Sequence, residues 1–336
     1  MRNILILTSS NNPLYRQISK NGMPVKEKYI FEINTFTSEF EQNIDKFDFL
    51  VVLDDYKESI ELNYPKDRMI LFTGEPPYIK IYPTKYLDQF GSIFTCQKAI
   101  LKRSNAYSTI PPLPWMTGCS LKENSHMFSN TKHMNYDDFS SYSNLDRLDK
   151  VCIITSNKKI TKGHRDRVDF ALKLKHALPD KVDIFGNGFT NISDKFTIQS
   201  KYKYSIVIEN CSYPNYWTEK LADTYLAGSF PIYYGAPNIG DYFSDNEIKI
   251  ININNFQYAL NLIKEILGSS LYHDSISSLN EAKLKVLNQY NTFSIIISCI
   301  DKIKHPESKT MLSNFNPIHF SILDSVKQKI IRLMYP

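Results

Sequence analysis

Short apolar runs recur along the chain, with polar or helix-patterned stretches between them. In the first half they are Ile4–Leu7, Phe49–Leu53, Met69–Phe72 and Ser92–Cys96. Each has the length of one buried strand, and most end in Thr, Asp, Gly or Ser. The runs are continuous rather than alternating, which suits strands covered on both faces of a parallel sheet. A Pro-rich segment, Ile110–Trp115, follows, and from Asn135 to Lys150 the chain turns polar and rich in Asp, Ser and Asn. The alternation then resumes. Strands are expected at Val151–Thr155, Val182–Gly186, Tyr204–Glu209, Ser229–Tyr234 and Ile248–Ile253, and helices at Arg167–Ala177, Thr218–Ala227 and Phe256–Leu267. Thr218 is placed to cap its helix, and Gly228 to end it.

Two strand and helix series separated by a polar stretch predict two Rossmann-like α/β domains. The expected division is 1–135, a linker at 136–150, a second domain at 151–305, and a C-terminal tail and helix at 306–336 packing back across the domains. Ligands of such sheets sit at the carboxyl ends of the strands, which here means a cleft between the domains.

Composition narrows the class. The 336 residues are 42% hydrophobic and 22% charged, which excludes a disordered chain and a coiled coil. The net charge of +5 fits a phosphate-bearing ligand or an anionic surface, but the chain lacks the dense basic clusters of a nucleic-acid binder. The opening Met1–Thr8 reads as a buried strand rather than a signal peptide. No run approaches the roughly 18 apolar residues of a membrane span, so a cytoplasmic protein is expected. Cys96, Cys119, Cys152, Cys211 and Cys299 lie far apart with no CxxC pair, the pattern of buried thiols in a reducing compartment. The seven histidines show no metal-binding spacing, and no P-loop or GxGxxG fingerprint occurs.

Three local patterns could carry chemistry. In residues 203–235 a strand ends in Glu209-Asn210. A loop with Tyr213 and Tyr216 follows, and then a helix opening with Thr218-Glu219-Lys220. A helix N-terminus offers unpaired N–H groups and positive dipole to an anion, Lys220 adds a full charge, and Glu219 could accept from ribose hydroxyls. The plainer reading is a capped helix with a solvated ion pair. The second pattern is Ile160–Arg167, where Arg165, Arg167 and Lys162 follow a strand and could neutralise a pyrophosphate, or form a solvated basic loop. The third is Phe72-Thr73-Gly74-Glu75-Pro76-Pro77. It places a carboxylate at a strand end, where it could remove a proton from a hydroxyl or simply cap a turn. Asp54-Asp55 lacks the spacer of a metal-binding Asp-x-Asp and reads as strand termination.

Residues 203–235 resemble the C-terminal signature of the alpha-1,3/1,4-fucosyltransferase family, glycosyltransferase family 10, of bacterial type. The matching residues are Glu209-Asn210, Tyr216-Trp217-Thr218-Glu219-Lys220 and Pro231-Ile232-Tyr233-Tyr234-Gly235. Thr73-Gly74-Glu75 is similar to that family's Thr-Gly-Glu, although Pro76 stands where Asn is usual. Ser156-Asn157 with Arg167–Phe170 is similar to its Ser-Asn…Arg segment.

The resemblance implies a GT-B fold and inverting transfer of fucose from GDP-fucose to a glycan hydroxyl. The acceptor would be of lipopolysaccharide or O-antigen type in alpha-1,3 or alpha-1,4 linkage, serving lipopolysaccharide biosynthesis or protein glycosylation. It implies no cofactor and no obligatory metal. By the same resemblance Glu75 is the general base, Lys220 and Arg167 bind the pyrophosphate with Arg165 competing for the second role, and Asn210, Tyr216 and Glu219 line the donor pocket. A different nucleotide sugar, or a catalytically silent nucleotide-sugar-binding module, stay open as alternatives. The stretch His319–Met334 carries Ile322, Leu323, Val326, Ile330 and Leu333 on one helical stripe, with Lys327, Lys329 and Arg332 elsewhere. It reads as a closing helix, or as a basic amphipathic contact with the inner face of a membrane.

Overall fold

The computed structural model describes residues 1–9, 13–22, 24, 29–33, 44–120, 128–129, 133–158, 161–303 and 310–334, the last two without their side chains. Ile160, the side chain of Leu333 and the start of the expected C-terminal segment at 306–309 lie outside the described residues. The chain divides into two compact units. One comprises residues 1–11, 21–112 and 292–335, and the other 12–20 and 113–291.

The first unit is built on a six-stranded sheet. Its strands are β1 (Arg2–Thr8), β2 (Tyr29–Ile33), β3 (Phe49–Leu53), β5 (Met69–Phe72), β6 (Ser92–Thr95) and β7 (Ala106–Ser108), in the order β2-β1-β3-β5-β6-β7. All neighbours run parallel. Every residue of β3 and β5 is buried, as continuous apolar runs require when both faces are covered. One strand, β4 (Ile60–Pro65), lies outside this sheet and pairs antiparallel with Met311–Phe315. Its burial alternates, buried then exposed, so it packs one face only. Phe315 closes this core against Tyr56, Tyr86 and Phe90. The C-terminal residues expected as a tail are thus partly a structural strand of the first unit.

The second unit carries β8 (Leu148–Ile154), β9 (Val182–Phe185), β10 (Tyr202–Ile208), β11 (Phe230–Tyr234) and β12 (Lys249–Ile250), in the order β12-β11-β10-β8-β9, again all parallel. The strand order reverses between β8 and β10. Parallel sheets of this kind leave a crevice at the carboxyl end of such a reversal, where ligands bind. The equivalent reversal in the first unit falls between β1 and β3. Two Rossmann-like units with parallel sheets are the domain content expected of a GT-B protein.

The division differs from the sequence expectation in two ways. It falls after Pro112, within the Pro-rich segment, rather than at 135. The stretch 136–150 is not a linker. Asn135 caps the helix Tyr136–Ser141 in a capping box with Asp138, and β8 already begins at Leu148. Polar residues that suggested an open tether are here cap residues, the other context that favours Asn and Asp.

Candidate functional site

The reversal in the second unit brings two helix starts together at the ends of β8 and β10. After β8, Thr161 caps the helix Lys162–Ala177. Its hydroxyl accepts from the His164 N–H, and His164 closes a capping box. This helix starts five residues before Arg167, where the sequence reading began it, so the basic segment is its first turn and not a loop. Gly163 in that turn is required by space. A Cβ there would fall 2.0 Å from the carbonyl oxygen of Asn210, so only glycine lets the helix approach the end of β10.

After β10, Glu209 is 1% exposed and turned away from solvent. Its carboxylate accepts from the Thr218 N–H at 2.8 Å, from the Thr218 hydroxyl, and from Lys220 Nζ at 3.2 Å. Glu209 therefore ties the strand end to the start of the helix Glu219–Leu226. Thr218 in turn accepts from the Lys220 N–H as the cap. Gly235, the last residue of the resemblance motif, is needed because a Cβ there would meet the Tyr233 hydroxyl at 2.1 Å and Glu209 Cγ at 2.6 Å. The motif is one packed unit around a buried carboxylate.

Lys220 is held in place by this arrangement. It touches Glu209 and lies 3.5 Å from Glu219 Oε1, with a quarter of its side chain exposed. Burial works against its charge, but Glu209 and then Glu219 outweigh it and hold its pKa above the ordinary value. Burial raises the Glu209 pKa against the pull of Lys220. For Glu219 burial also pushes upward, and Lys220 and Lys195 overcome it to leave the pKa lowered. Lys220 is not a member of a merely solvated pair.

Arg167 is buried and donates from Nη1 to Asn210 Oδ1 at 2.9 Å, while its Nε has no hydrogen-bond partner among the described residues. Burial lowers its pKa, opposed by Glu209, Tyr216 and Glu219. A guanidinium stays charged under such a shift. Arg165, two residues earlier, is exposed. The two arginines thus differ in kind: Arg167 holds Asn210 from within, and Arg165, on another face of the same helix, is exposed. Tyr213, Tyr216 and Trp217 are buried. Tyr216 is 1% exposed and forms part of the loop's core rather than an open surface ring. Asn215 holds a φ of 60° at the loop tip and is pinned by Asn238 and Tyr242.

His164 was not singled out from sequence. Its pKa is lowered to about 4 by burial, then by Arg167, Lys220 and Lys158. Arg167 lies one turn further along the same helix, and Lys158 precedes its cap. The only sequence signal was the Thr161 to His164 spacing of a capping box. A small cavity is lined by Lys195, Gln199, Ser205 and Lys220.

In the first unit, Glu75 follows β5 and is half-buried. Its carbonyl accepts from Gln97 Nε2 at 2.8 Å. The Pro76 carbonyl accepts from the N–H groups of Ile79 and Lys80, closing a turn behind it. The Cys96 thiol nearby is pushed up to about 12 by burial, with Glu75 adding to the effect. All five cysteines are free and buried. Among the described residues no His, Cys, Asp and Glu cluster could hold a metal ion.

Residues 144–270 match the family model described as glycosyltransferase family 10 (fucosyltransferase) C-term. The resemblance read from residues 203–235 therefore stands, and the matched stretch takes in Arg165, Arg167 and His164 as well. The chain is 32% identical over 75 residues to the alpha-(1,3)-fucosyltransferase FucT of Helicobacter pylori, covering 22% of this chain and 16% of that protein. To alpha-(1,3)-fucosyltransferase B of Drosophila melanogaster it is 34% identical over 95 residues, covering 28% and 20%. The matched stretches thus span a fifth or less of these relatives' own length. A solved alpha1,3-fucosyltransferase with GDP aligns over 87% of this chain and 92% of its own, at 17% identity and a TM-score of 0.48.

Proposed function

We propose that the protein is an inverting glycosyltransferase that moves fucose from GDP-fucose to a hydroxyl of a glycan acceptor. The observation that carries this reading is the meeting of two helix starts at the strand-order reversal of the second unit, where Gly163 lies against the Asn210 carbonyl, Arg167 donates to Asn210 and Lys220 is held by Glu209. We read it as the diphosphate site; it lies within the stretch matched by the family model, and fucosyltransferases are among the named relatives.

The reaction is a displacement at the anomeric carbon through an oxocarbenium-like transition state. Charge grows on the departing GDP. Lys220, Arg167 and the two helix starts meet it, with Arg165 the competitor for the arginine's role, so no metal is required. Arg167 holds Asn210 in place, and Glu219 accepts from donor hydroxyls. Glu75 takes the acceptor proton. The acceptor is a glycan of lipopolysaccharide or O-antigen type, and the enzyme works in the cytoplasm. Among the described residues no helix is long and apolar enough to cross a membrane. The helix Ile322–Met334 supplies a peripheral contact instead. Ile322 and Leu323 are 86% and 71% exposed, and Val326 and Ile330 share their face.

The test is calorimetry with a panel of nucleotide sugars, followed by transfer assays with EDTA. GDP-fucose should bind best and transfer should survive the chelator. Tighter binding of another nucleotide sugar would replace the donor. Binding without transfer or slow hydrolysis would make the protein a binding module. Loss of transfer restored by Mn²⁺ would overturn the metal-free reading.

A further inference from the structure

Asp54 ends β3 with a φ of 66°, a left-handed conformation that costs a non-glycine residue free energy. Such strain persists where the surroundings over-determine it. Here they do. The Asp54 N–H donates to the Phe72 carbonyl at 2.7 Å. Its Oδ1 accepts from the Gly74 N–H at 3.1 Å and from the Tyr82 hydroxyl. Its Oδ2 accepts from Lys80 Nζ at 2.7 Å, and Lys80 also bridges to Asp55 at 2.7 Å.

These partners bracket Glu75 on both sides. The Gly74 N–H, one residue before it, is shared between Asp54 and Tyr82 Oη, the latter at 3.2 Å. Lys80 and Tyr82 lie after the turn that Pro76 starts. Gln97 Nε2 then joins the Glu75 and Lys80 carbonyls at 2.8 Å each. A strand end needs a cap. It does not need a lysine, a tyrosine and a glycine amide gathered from both sides of the next loop onto one carboxylate.

We propose that Asp54 is a positioning residue for the reaction: its carboxylate fixes the loop from Gly74 to Tyr82 so that the Glu75 side chain is held in one orientation. This rests on Glu75 acting as the base. Lys80 pairs with Asp54 inside the network. The Tyr82 phenol stays protonated and able to donate, because burial, then Asp54, then Glu75, hold its pKa well above the ordinary range. Hydrogen bonds to an ionised acceptor are the stronger kind, which suits a group that must hold a loop without moving.

The test is a double-mutant cycle between Asp54→Gly and Glu75→Gln, with Asp54→Asn and Tyr82→Phe beside it. Glycine keeps the left-handed backbone and removes the carboxylate. A misplaced catalytic group costs on the order of 10²-fold, so kcat of Asp54→Gly should fall by about that factor with KM for GDP-fucose unchanged. Asparagine keeps the Oδ1 acceptor for Gly74 and Tyr82 and tolerates the same φ, but it sets an NH2 donor against Lys80, so it should recover part of the loss. Tyr82→Phe, which keeps the core ring, should show a smaller loss of the same form. In the Glu75→Gln background Asp54→Gly should cost nothing more, because it acts only through Glu75. An equal further loss there, or Asp54→Gly or Tyr82→Phe at wild-type kcat while Glu75→Gln is impaired, overturns the inference alone. Wild-type turnover by Glu75→Gln itself overturns the base reading and this inference with it.

Discussion

Nζ of Lys220 lies 3.2 Å from Oε2 of Glu209, a carboxylate that Thr218 already binds twice. The cation proposed to meet the donor phosphates is therefore held from behind by a buried anion. Lys220→Ala removes two things, a phosphate contact and the countercharge of Glu209. Breaking a wholly buried pair costs about 3–5 kcal/mol, and less here because Lys220 keeps a quarter of its side chain exposed. The expected result is a loss of GDP affinity by calorimetry together with a lower unfolding midpoint. The pair Lys220→Ala with Glu209→Gln should restore the midpoint and leave the affinity low. Unchanged affinity in Lys220→Ala would remove it from the phosphate site.

Glu75→Gln should leave GDP affinity at the wild-type level and lower transfer. General-base catalysis is worth roughly 10² to 10⁴-fold, and the amide cannot take the proton. Isothermal titration with GDP and a transfer assay on the same preparation check both halves. Near wild-type turnover would assign the base elsewhere.

Gly163→Ala tests the approach of the two segments without touching a charge. The new Cβ would fall 2.0 Å from the Asn210 carbonyl oxygen, well inside any tolerated contact, so the helix Lys162–Ala177 must shift. Arg165, Arg167 and His164 move with it. GDP affinity should drop although every proposed ligand residue is still present. A variant with full affinity would show that the first turn of this helix takes no part.

Much of this was legible in the sequence. The core strands β3 and β5 fall on the apolar runs at their predicted limits, because a run buried on both faces leaves no ambiguity about where it starts. Phe256–Leu267 matched too, with Asn255 as its cap. The elements that escaped have weaker patterns. β4 pairs with Met311–Phe315 across a long separation, and no local pattern reports a partner so distant. β12 is two residues long although the apolar run spans six, because only Lys249 and Ile250 find a partner in β11. At the site, the motif pointed to Lys220 and Asn210. It did not separate Glu209, which braces the helix, from residues that face outward. Burial decides that, and burial is a tertiary property.

His164 gives a prediction in pH. In the folded protein it resists protonation down to about pH 4, whereas an unconstrained histidine titrates near 6.5. Between these values the unfolded chain binds a proton that the folded one does not. Stability from this residue is therefore whole above about 6.5 and declines as pH falls toward 4. Urea unfolding at a series of pH values should show that His164→Gln loses less stability on acidification than the wild type. Parallel curves for the two proteins would contradict the assignment.

The helix Ile322–Met334 is held by its polar face. Gln328 accepts from the Ile81 N–H at 2.7 Å and donates to the Pro77 and Tyr78 carbonyls, and Arg332 donates to the Tyr78 and Ile79 carbonyls. Ile322, Leu323, Val326 and Ile330 are left facing solvent. An amphipathic helix usually buries its apolar stripe, so this reversed docking offers that stripe, with Lys327 and Lys329 near it, to an anionic bilayer. Truncation after Pro317 would also free the loop beyond Glu75, so point changes are the cleaner probe. Leu323→Ser with Ile330→Ser should abolish sedimentation with vesicles containing anionic lipid and leave transfer to a water-soluble acceptor intact. Undiminished vesicle binding by this variant would rule out the membrane role for the helix.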